Sequence, residues 1–147
     1  MRVRRLSGVP LYTLCVNMYG MNTRCYYLNG NIMMEQLADG TIREYYESGA
    51  ALYSRKPNGD VIQWYENGSI MFKLYDNNKS LEYYYPNGRP SFITGSGEPT
   101  KSWYENGRLA SERLPDGTKR MWHENGVLAF ERLCDGSTRI YIMRKGT

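Results

Sequence analysis

The stretch from Ser102 to Thr118, SWYENGRLASERLPDGT, decides the fold of this 147-residue chain. It holds two turn signals, Asn-Gly and Pro-Asp-Gly, and about seven residues separate them, which is the length of a strand rather than of a helix. The stretch from Met121 to Ser137, MWHENGVLAFERLCDGS, repeats this order of residue types. The predicted unit is therefore a β-hairpin followed by a turn into the next hairpin.

This unit recurs along most of the chain. Each of six glycines ends a segment that contains a pair of adjacent aromatic residues, or Trp-His in the last case: Gly30, Gly49, Gly68, Gly88, Gly107 and Gly126. A second column lies about ten residues further on, a spacing typical of strands with regular turns, at Gly40, Gly59, Gly97, Gly117 and Gly136, with Asn78 in the missing place. We predict an all-β fold, an elongated single-layer antiparallel sheet of about six 19-residue β-hairpin repeats.

The repeat also sets the expected organisation of the chain. We expect an N-terminal segment, 1–19, with a candidate capping strand, then the repeat domain, 20–143, and a C-terminal tail, 144–147. The opening stretch, 1–16, imitates a signal peptide weakly, because Pro, Ser and Thr interrupt its apolar part.

The loops predict a strand register that can be checked against charge. If Asn106-Gly107 is a two-residue type I′ turn and Pro115 to Gly117 a three-residue loop, opposite charges face each other across neighbouring strands. The alternating ladder runs through Lys101, Glu112, Arg120, Glu131 and Arg139, and Arg24, Glu35 and Arg43 form its first-repeat counterpart. Middle repeats break it, with Ile62 opposite Lys73 and Glu82 opposite Ile93.

Successive strand residues point to opposite sides of a sheet, so the two aromatics of each pair define two faces. The ladder face carries the charges and a structural aromatic column, predicted to lie opposite Met33, Leu52, Met71, Ser91, Ala110 and Ala129: Tyr26, Tyr45, Trp64, Tyr84, Trp103 and Trp122. The Tyr/Phe face carries the second aromatics, predicted opposite Ile32, Ala51, Ile70, Pro90, Leu109 and Leu128. Since no second layer is available within the chain, we expect this face to bind a partner through Tyr27, Tyr46, Tyr53, Tyr65, Phe72, Tyr85, Phe92, Tyr104 and Phe130.

Composition argues against catalysis and metal binding. The three cysteines, Cys15, Cys25 and Cys134, show no C-x-x-C spacing, so we expect neither a disulfide framework nor a zinc site, and a reducing, intracellular location. The single histidine, His123, fills a tyrosine position of the repeat and is interpreted as a packing substitution. We predict no enzyme activity, no cofactor and no metal.

The recurring pattern W/Y-Y-E-N-G-x-L-x-x-E, from about Cys25 to Arg139, resembles the variant form of the MORN repeat. That family includes antitoxin-like or immunity-like bacterial proteins and repeat proteins of large DNA viruses. The resemblance implies an elongated hairpin ribbon used for binding or assembly. The chain lacks the G-x-G-rich second half of the better-known repeat, which weakens any transfer of lipid binding. CYYLNGNIMM also resembles choline-binding repeats, but the Gly-Trp that should follow each hairpin is absent.

These observations favour a non-enzymatic protein-interaction or assembly element, such as a minor structural component of a viral capsid. Its location would then be cytoplasmic, or in the virion. The alternative is an antitoxin or immunity protein that neutralises one toxin. Nucleic acid is a weaker candidate, because most of the arginines face a glutamate and the net charge is only +4. Membrane binding is likewise disfavoured.

Overall fold

The computed structural model describes residues 14–17, 23–75, 77 and 79–142. Over these residues the chain forms fourteen strands: β1 Leu14–Asn17, β2 Thr23–Tyr26, β3 Ile32–Gln36, β4 Ile42–Tyr45, β5 Ala51–Arg55, β6 Val61–Trp64, β7 Ile70–Tyr75, β8 Ser80–Tyr84, β9 Pro90–Thr94, β10 Thr100–Trp103, β11 Leu109–Arg113, β12 Lys119–Trp122, β13 Leu128–Arg132 and β14 Thr138–Ile140. The predicted tail, 144–147, most of the segment 1–19 and Asn78 lie outside the described residues.

The strands form one open antiparallel sheet in which spatial order equals sequence order, from β1 to β14. The predicted fold class is confirmed. The charge register is confirmed as well, because Lys101 lies opposite Glu112 and Glu112 lies opposite Arg120. Sequence neighbours therefore pair throughout, and each hairpin is held by the hairpins before and after it.

The prediction of alternating turn types is wrong. At both turn columns the glycine N–H donates to the carbonyl three residues earlier, as Gly107 does to Tyr104 at 2.8 Å and Gly117 to Leu114 at 3.0 Å. Both are thus three-residue loops ending in a glycine with positive φ, +88° at Gly107 and +93° at Gly117. Asn106 is not among the described residues with positive φ, so a type I′ turn is excluded.

A β-bulge compensates for the longer Asn-Gly loop. Ser102 lies opposite Ser111, but Trp103 lies opposite Leu109, so Ala110 is the extra residue of the bulge. The same shift occurs in the other hairpins of this type. The aromatic column of the ladder face therefore lies opposite the residues that were predicted for the Tyr/Phe face: Ile32, Ala51, Ile70, Pro90, Leu109 and Leu128. Those cross-strand assignments are corrected.

The cysteine prediction is also corrected. In the β1–β2 register Cys15 and Cys25 are directly opposite each other, and Cys25 is disulfide-bonded. The sequence spacing of ten residues gave no hint of this, because only the hairpin register brings the two positions together. Cys134 is free and exposed.

The sheet has no large apolar core among the described residues. The buried residues include two apolar ones, Cys25 and Val61, beside polar or charged ones such as Thr41, Thr118 and Glu35. No described large side chain is completely buried. Stability must come from contacts between adjacent strands and from the hydrogen bonds and ion pairs described next.

Candidate functional site

A series of tyrosine hydroxyls runs along one side of the sheet, where the strands end in the Asn-Gly turns; we call this row of strand ends the Asn-Gly edge. The second aromatic of a repeat donates its hydroxyl hydrogen to the main-chain carbonyl of the first aromatic in the next repeat. The bonds join Tyr27 to Tyr45 (2.7 Å), Tyr46 to Trp64 (2.9 Å), Tyr65 to Tyr84 (3.0 Å), Tyr85 to Trp103 (2.8 Å) and Tyr104 to Trp122 (2.7 Å). These five predicted partner-binding residues therefore tie neighbouring hairpins together. Sequence reasoning missed this role, although the preference for Tyr over Phe in that column signals it.

Turn asparagines add a second set of bonds along the same edge. The side-chain amide of Asn67 donates to the carbonyl of Pro86 at 2.9 Å, and that of Asn106 donates to Glu124 at 3.3 Å. Each also accepts a bond within its own turn, as Asn106 does from the Arg108 N–H at 2.9 Å. The Asn-Gly edge is thus bonded from repeat to repeat and preorganised.

Glu35 is the centre of the first charged cluster on the ladder face. Only 5% of Glu35 is exposed, and it accepts from the Tyr45 hydroxyl at 2.8 Å and from the Arg24 guanidinium at 3.2 Å. Arg43 lies 3.6 Å away on the other side. Burial raises the pKa of Glu35, but the hydrogen bonds and the two arginine charges outweigh it and hold the pKa below its usual value.

Glu82 repeats this arrangement in the middle of the sheet. It accepts hydrogen bonds from Tyr75 at 2.7 Å and from Tyr84, and the Lys73 ammonium lies 3.4 Å from its carboxylate. Burial is again opposed by these donors, so the pKa of Glu82 is lowered. Burial and the bond to the carboxylate raise the pKa of Tyr84 to about 12. Lys73 and Glu82 therefore form an ion pair in the middle of the ladder row. The predicted interruptions on both sides of this pair are confirmed, because Ile62 lies opposite Lys73 and Ile93 lies opposite Glu82.

The third cluster lies near the C-terminal end of the sheet. Arg120 bridges two carboxylates, Glu131 at 2.9 Å and Glu112 at 3.0 Å, and Arg139 lies 3.8 Å from Glu131. The ladder face is therefore occupied by internal ion pairs, which leaves few of its charges for a ligand.

We expect the stability of the sheet to fall in acid because of Glu35 and Glu82, whose pKa values are lowered in the folded state. A carboxyl whose pKa is lower in the folded state stabilises the fold fully above its unfolded value, 4.5, and loses that contribution as the pH falls through the lowered value. Replacing both Glu35 and Glu82 with glutamine should therefore reduce the slope of stability against pH below 4.5. Urea unfolding at a series of pH values measures this slope, and an unchanged slope would contradict the assignment.

The Tyr/Phe face carries an aromatic cluster in which the central ring is exposed and the two outer rings are half-buried. The Tyr83 ring lies 5.6 Å from that of Phe72 and 6.4 Å from that of Phe92, centroid to centroid, and Tyr83 is 43% exposed. The adjacent row on β7 and β8 adds Leu74 opposite Leu81. We name these five residues the aromatic patch. Tyr83, which sequence reasoning left out of the site, is its central member.

The other predicted partner-binding residues are spread along the face. Tyr53 is separated from Phe72 by Gln63 in the cross-strand row, and Phe130 lies between Met121 and Ile140. The structure therefore places Phe72 and Phe92 together with Tyr83, and leaves Tyr53 and Phe130 on separate parts of the same face. Their role in binding stays a prediction.

The fold and the two faces define a repeat protein built as a single-layer sheet of hairpins. Two segments, residues 57–78 and 115–133, match the family model of the MORN repeat variant. Repeats of this kind indicate a protein that mediates protein or membrane interactions, and the family is generally non-enzymatic. No curated protein sequence matches the chain.

Solved structures give weak overlaps. The G-box domain of the microcephaly protein CPAP matches with 19% identity and a TM-score of 0.39, covering 89% of this chain and 82% of that chain. The TCP domain of Drosophila melanogaster SAS-4, solved with a proline-rich motif of Ana2, matches with 17% identity and a TM-score of 0.30, covering 97% and 98%. The TCP10 domain of Danio rerio CPAP, solved with a STIL peptide, has 13% identity and a TM-score of 0.29, covering 89% and 94%. No function is transferred from these overlaps.

Two further findings concern the described residues alone. No group of three or more His, Cys, Asp or Glu side chains among them is arranged to hold a metal ion. A bilayer-spanning apolar helix is likewise absent from this part of the chain.

Proposed function

We propose that this chain is a non-enzymatic protein-interaction element whose aromatic patch docks on an apolar surface of a partner protein. The proposal rests mainly on one observation: Tyr83 is exposed between the rings of Phe72 and Phe92, in the middle of a one-layer sheet. Aromatic side chains supply large contact areas with little rotamer entropy to lose, which suits them to the centre of an interface.

The contrast between the faces supports this choice of surface. Most charged groups of the ladder face are paired within the sheet, as Arg120 is with Glu112 and Glu131. The aromatic patch has no second layer of described residues over it, because each strand packs only beside its sequence neighbours. Tyr83 is exposed and the four residues around it are half-buried, so the patch is a contiguous apolar surface that solvent still reaches. Contiguous apolar surface of this kind marks interaction sites in proteins.

The hydroxyl series supports the proposal as well. The strands of the aromatic patch belong to the β6–β7 and β8–β9 hairpins. Tyr65 bonds the first of these hairpins to the second, and Tyr85 bonds the second to the next repeat, so hydrogen bonds hold the strands under the patch together. A surface that is already ordered before binding loses less conformational entropy when the partner arrives.

Two finer functions use this same surface. In the first, the partner is a subunit of a larger assembly, such as a viral capsid. In the second, the partner is a toxin that the chain neutralises. The matched repeat variant supports interaction in general, and the aromatic patch supports an apolar protein surface as the partner.

The test replaces Phe72, Tyr83 and Phe92 together with threonine, which keeps a high strand propensity while removing the rings. The matched control replaces Ile62 and Ile93, apolar residues of the ladder face, with threonine. Each protein serves as bait in the native source, and the affinity of each captured protein for the three baits is then measured. We expect a partner whose affinity falls about tenfold or more with the patch variant and little with the control, since a few buried aromatics dominate such interfaces.

Circular dichroism of the baits verifies that all three retain the sheet. A partner that binds the patch variant as tightly as the wild type would show that another surface is used. If every captured protein loses affinity equally for both variants, or none binds the purified wild type, docking through the aromatic patch is wrong.

A further inference from the structure

One row of the Tyr/Phe face becomes cationic near the C-terminal end of the sheet. Arg113 on β11 lies directly opposite Lys119 on β12, and Lys119 lies directly opposite Arg132 on β13. Like charges in directly opposed positions repel each other and destabilise an antiparallel sheet. None of the three forms an ion pair with a described residue. The pairing of these strands alone does not explain such an arrangement.

The other repeats show that the fold does not require cations in this row. Two hairpins earlier the row is apolar, with Val61 opposite Leu74 and Leu74 opposite Leu81. One repeat earlier the positions of Arg113 and Lys119 are held by Thr94 and Thr100, whose hydroxyl oxygens lie 2.9 Å apart in a hydrogen bond. Uncharged residues therefore serve the same structural positions elsewhere in the chain.

The three cations line a cleft of about 440 Å³. Its wall is completed by Gly117 and Gly136 of the two neighbouring turns and by Leu133 and Cys134. A Cβ on either glycine would meet no atom within 4 Å, so the turn side of the cleft is open.

The neighbouring carboxylates are engaged elsewhere. Glu112 and Glu131, next in sequence to Arg113 and Arg132, pair with Arg120 on the ladder face, and the turn aspartates are bound within their own turns. Asp116 accepts from the Thr118 N–H at 2.8 Å, and Asp135 accepts from the Ser137 N–H at 2.8 Å. They do not form ion pairs with the cations of the cleft, whose charge is left for a ligand.

We infer that this cleft binds a multiply charged phosphate anion. Two guanidinium groups on either side of a lysine suit such a ligand, because guanidinium donates paired hydrogen bonds to phosphate oxygens and the ammonium adds a point charge. The volume exceeds that of one phosphate group and admits a linked series of phosphates or a phosphorylated headgroup. The cleft lies on β11–β13 and is separate from the aromatic patch on β7–β9.

The test uses inorganic tripolyphosphate as the free ligand, and phosphatidylcholine vesicles with and without phosphatidylinositol bisphosphate as the lipid source. The variant Arg113→Thr with Lys119→Thr copies the residue pair of the preceding repeat, so we expect it to fold. Arg55→Gln is the matched control, because Arg55 is an exposed cation of the same row between Ile42 and Val61. Calorimetry and vesicle co-sedimentation at low salt measure binding.

Wild type and Arg55→Gln should bind a phosphate probe with similar affinity, and the double threonine variant should bind about tenfold or more weakly, because two charge-assisted sets of bonds are lost. Binding of tripolyphosphate identifies a free anion, whereas binding of the doped vesicles alone identifies a lipid headgroup; both support the cleft. The inference is overturned if neither probe binds the wild type, if the double variant binds as well, or if citrate binds as tightly as tripolyphosphate.

Discussion

Replacing Tyr27, Tyr65 and Tyr104 together with phenylalanine should lower the free energy of unfolding by about 3 kcal/mol, since each net hydrogen bond is worth about 1 kcal/mol. Each hydroxyl donates to a carbonyl of the next repeat, at 2.7, 3.0 and 2.7 Å. Phenylalanine keeps the ring and removes only the donor. The three positions stand in alternate repeats, so their effects should add.

Tyr53→Phe is the matched control. Tyr53 is a tyrosine of the Tyr/Phe face whose hydroxyl forms no hydrogen bond with a described residue, so its replacement should change stability by less than about 0.5 kcal/mol. Urea unfolding monitored by circular dichroism measures all of these variants. A triple variant as stable as Tyr53→Phe would show that the hydroxyl series does not hold the hairpins together.

Replacing Glu35 with alanine should cost about 2 kcal/mol, because the Tyr45 hydroxyl loses its acceptor and two guanidinium groups lose their shared carboxylate. The Arg24 and Arg43 side chains are 45% and 48% exposed, so water screens part of the charge left unpaired. The cost is therefore lower than for an ion pair that is buried on both sides.

Glu44→Ala provides the control in the same repeat. Glu44 lies on β4 between Met34 and Tyr53, on the opposite side of the sheet, and forms no ion pair with a described residue. Its loss should cost less than about 0.5 kcal/mol. If thermal or urea unfolding gives equal costs for the two substitutions, the hydrogen bonds and ion pairs of Glu35 do not stabilise the sheet.

The charge ladder was predicted correctly although one of its loops was assigned wrongly. A two-residue loop at Asn106-Gly107 places Lys101 opposite Glu112. A three-residue loop shifts the strands by one position, and the extra residue Ala110 shifts them back. Both arrangements give the same register beyond the bulge, so charge pairing cannot distinguish them. They differ only near the turn, where Trp103 lies opposite Leu109 instead of Ala110.

The candidate site was predicted in part. Because successive side chains of a strand point to opposite sides of the sheet, Phe72 and Phe92 were expected on the same face. This identified the side of the sheet that carries the aromatic patch. Tyr83 was missed because it precedes the Tyr84-Tyr85 pair that occupies the repeat's aromatic columns. Its contacts with both phenylalanine rings depend on the β7–β8–β9 register.

By itself the sequence determined the repeat, the two turn columns, the all-β class and the charge register between neighbouring strands. Each of these depends only on residues within one or two hairpins. The tertiary structure alone decided how successive hairpins contact each other. The bond from the Tyr65 hydroxyl to the carbonyl of Tyr84, 19 residues away, forms only when the sheet sets one turn beside the next. The cationic row of Arg113, Lys119 and Arg132 likewise exists only after three strands pair, since cross-strand register, rather than sequence distance, brings its charges together.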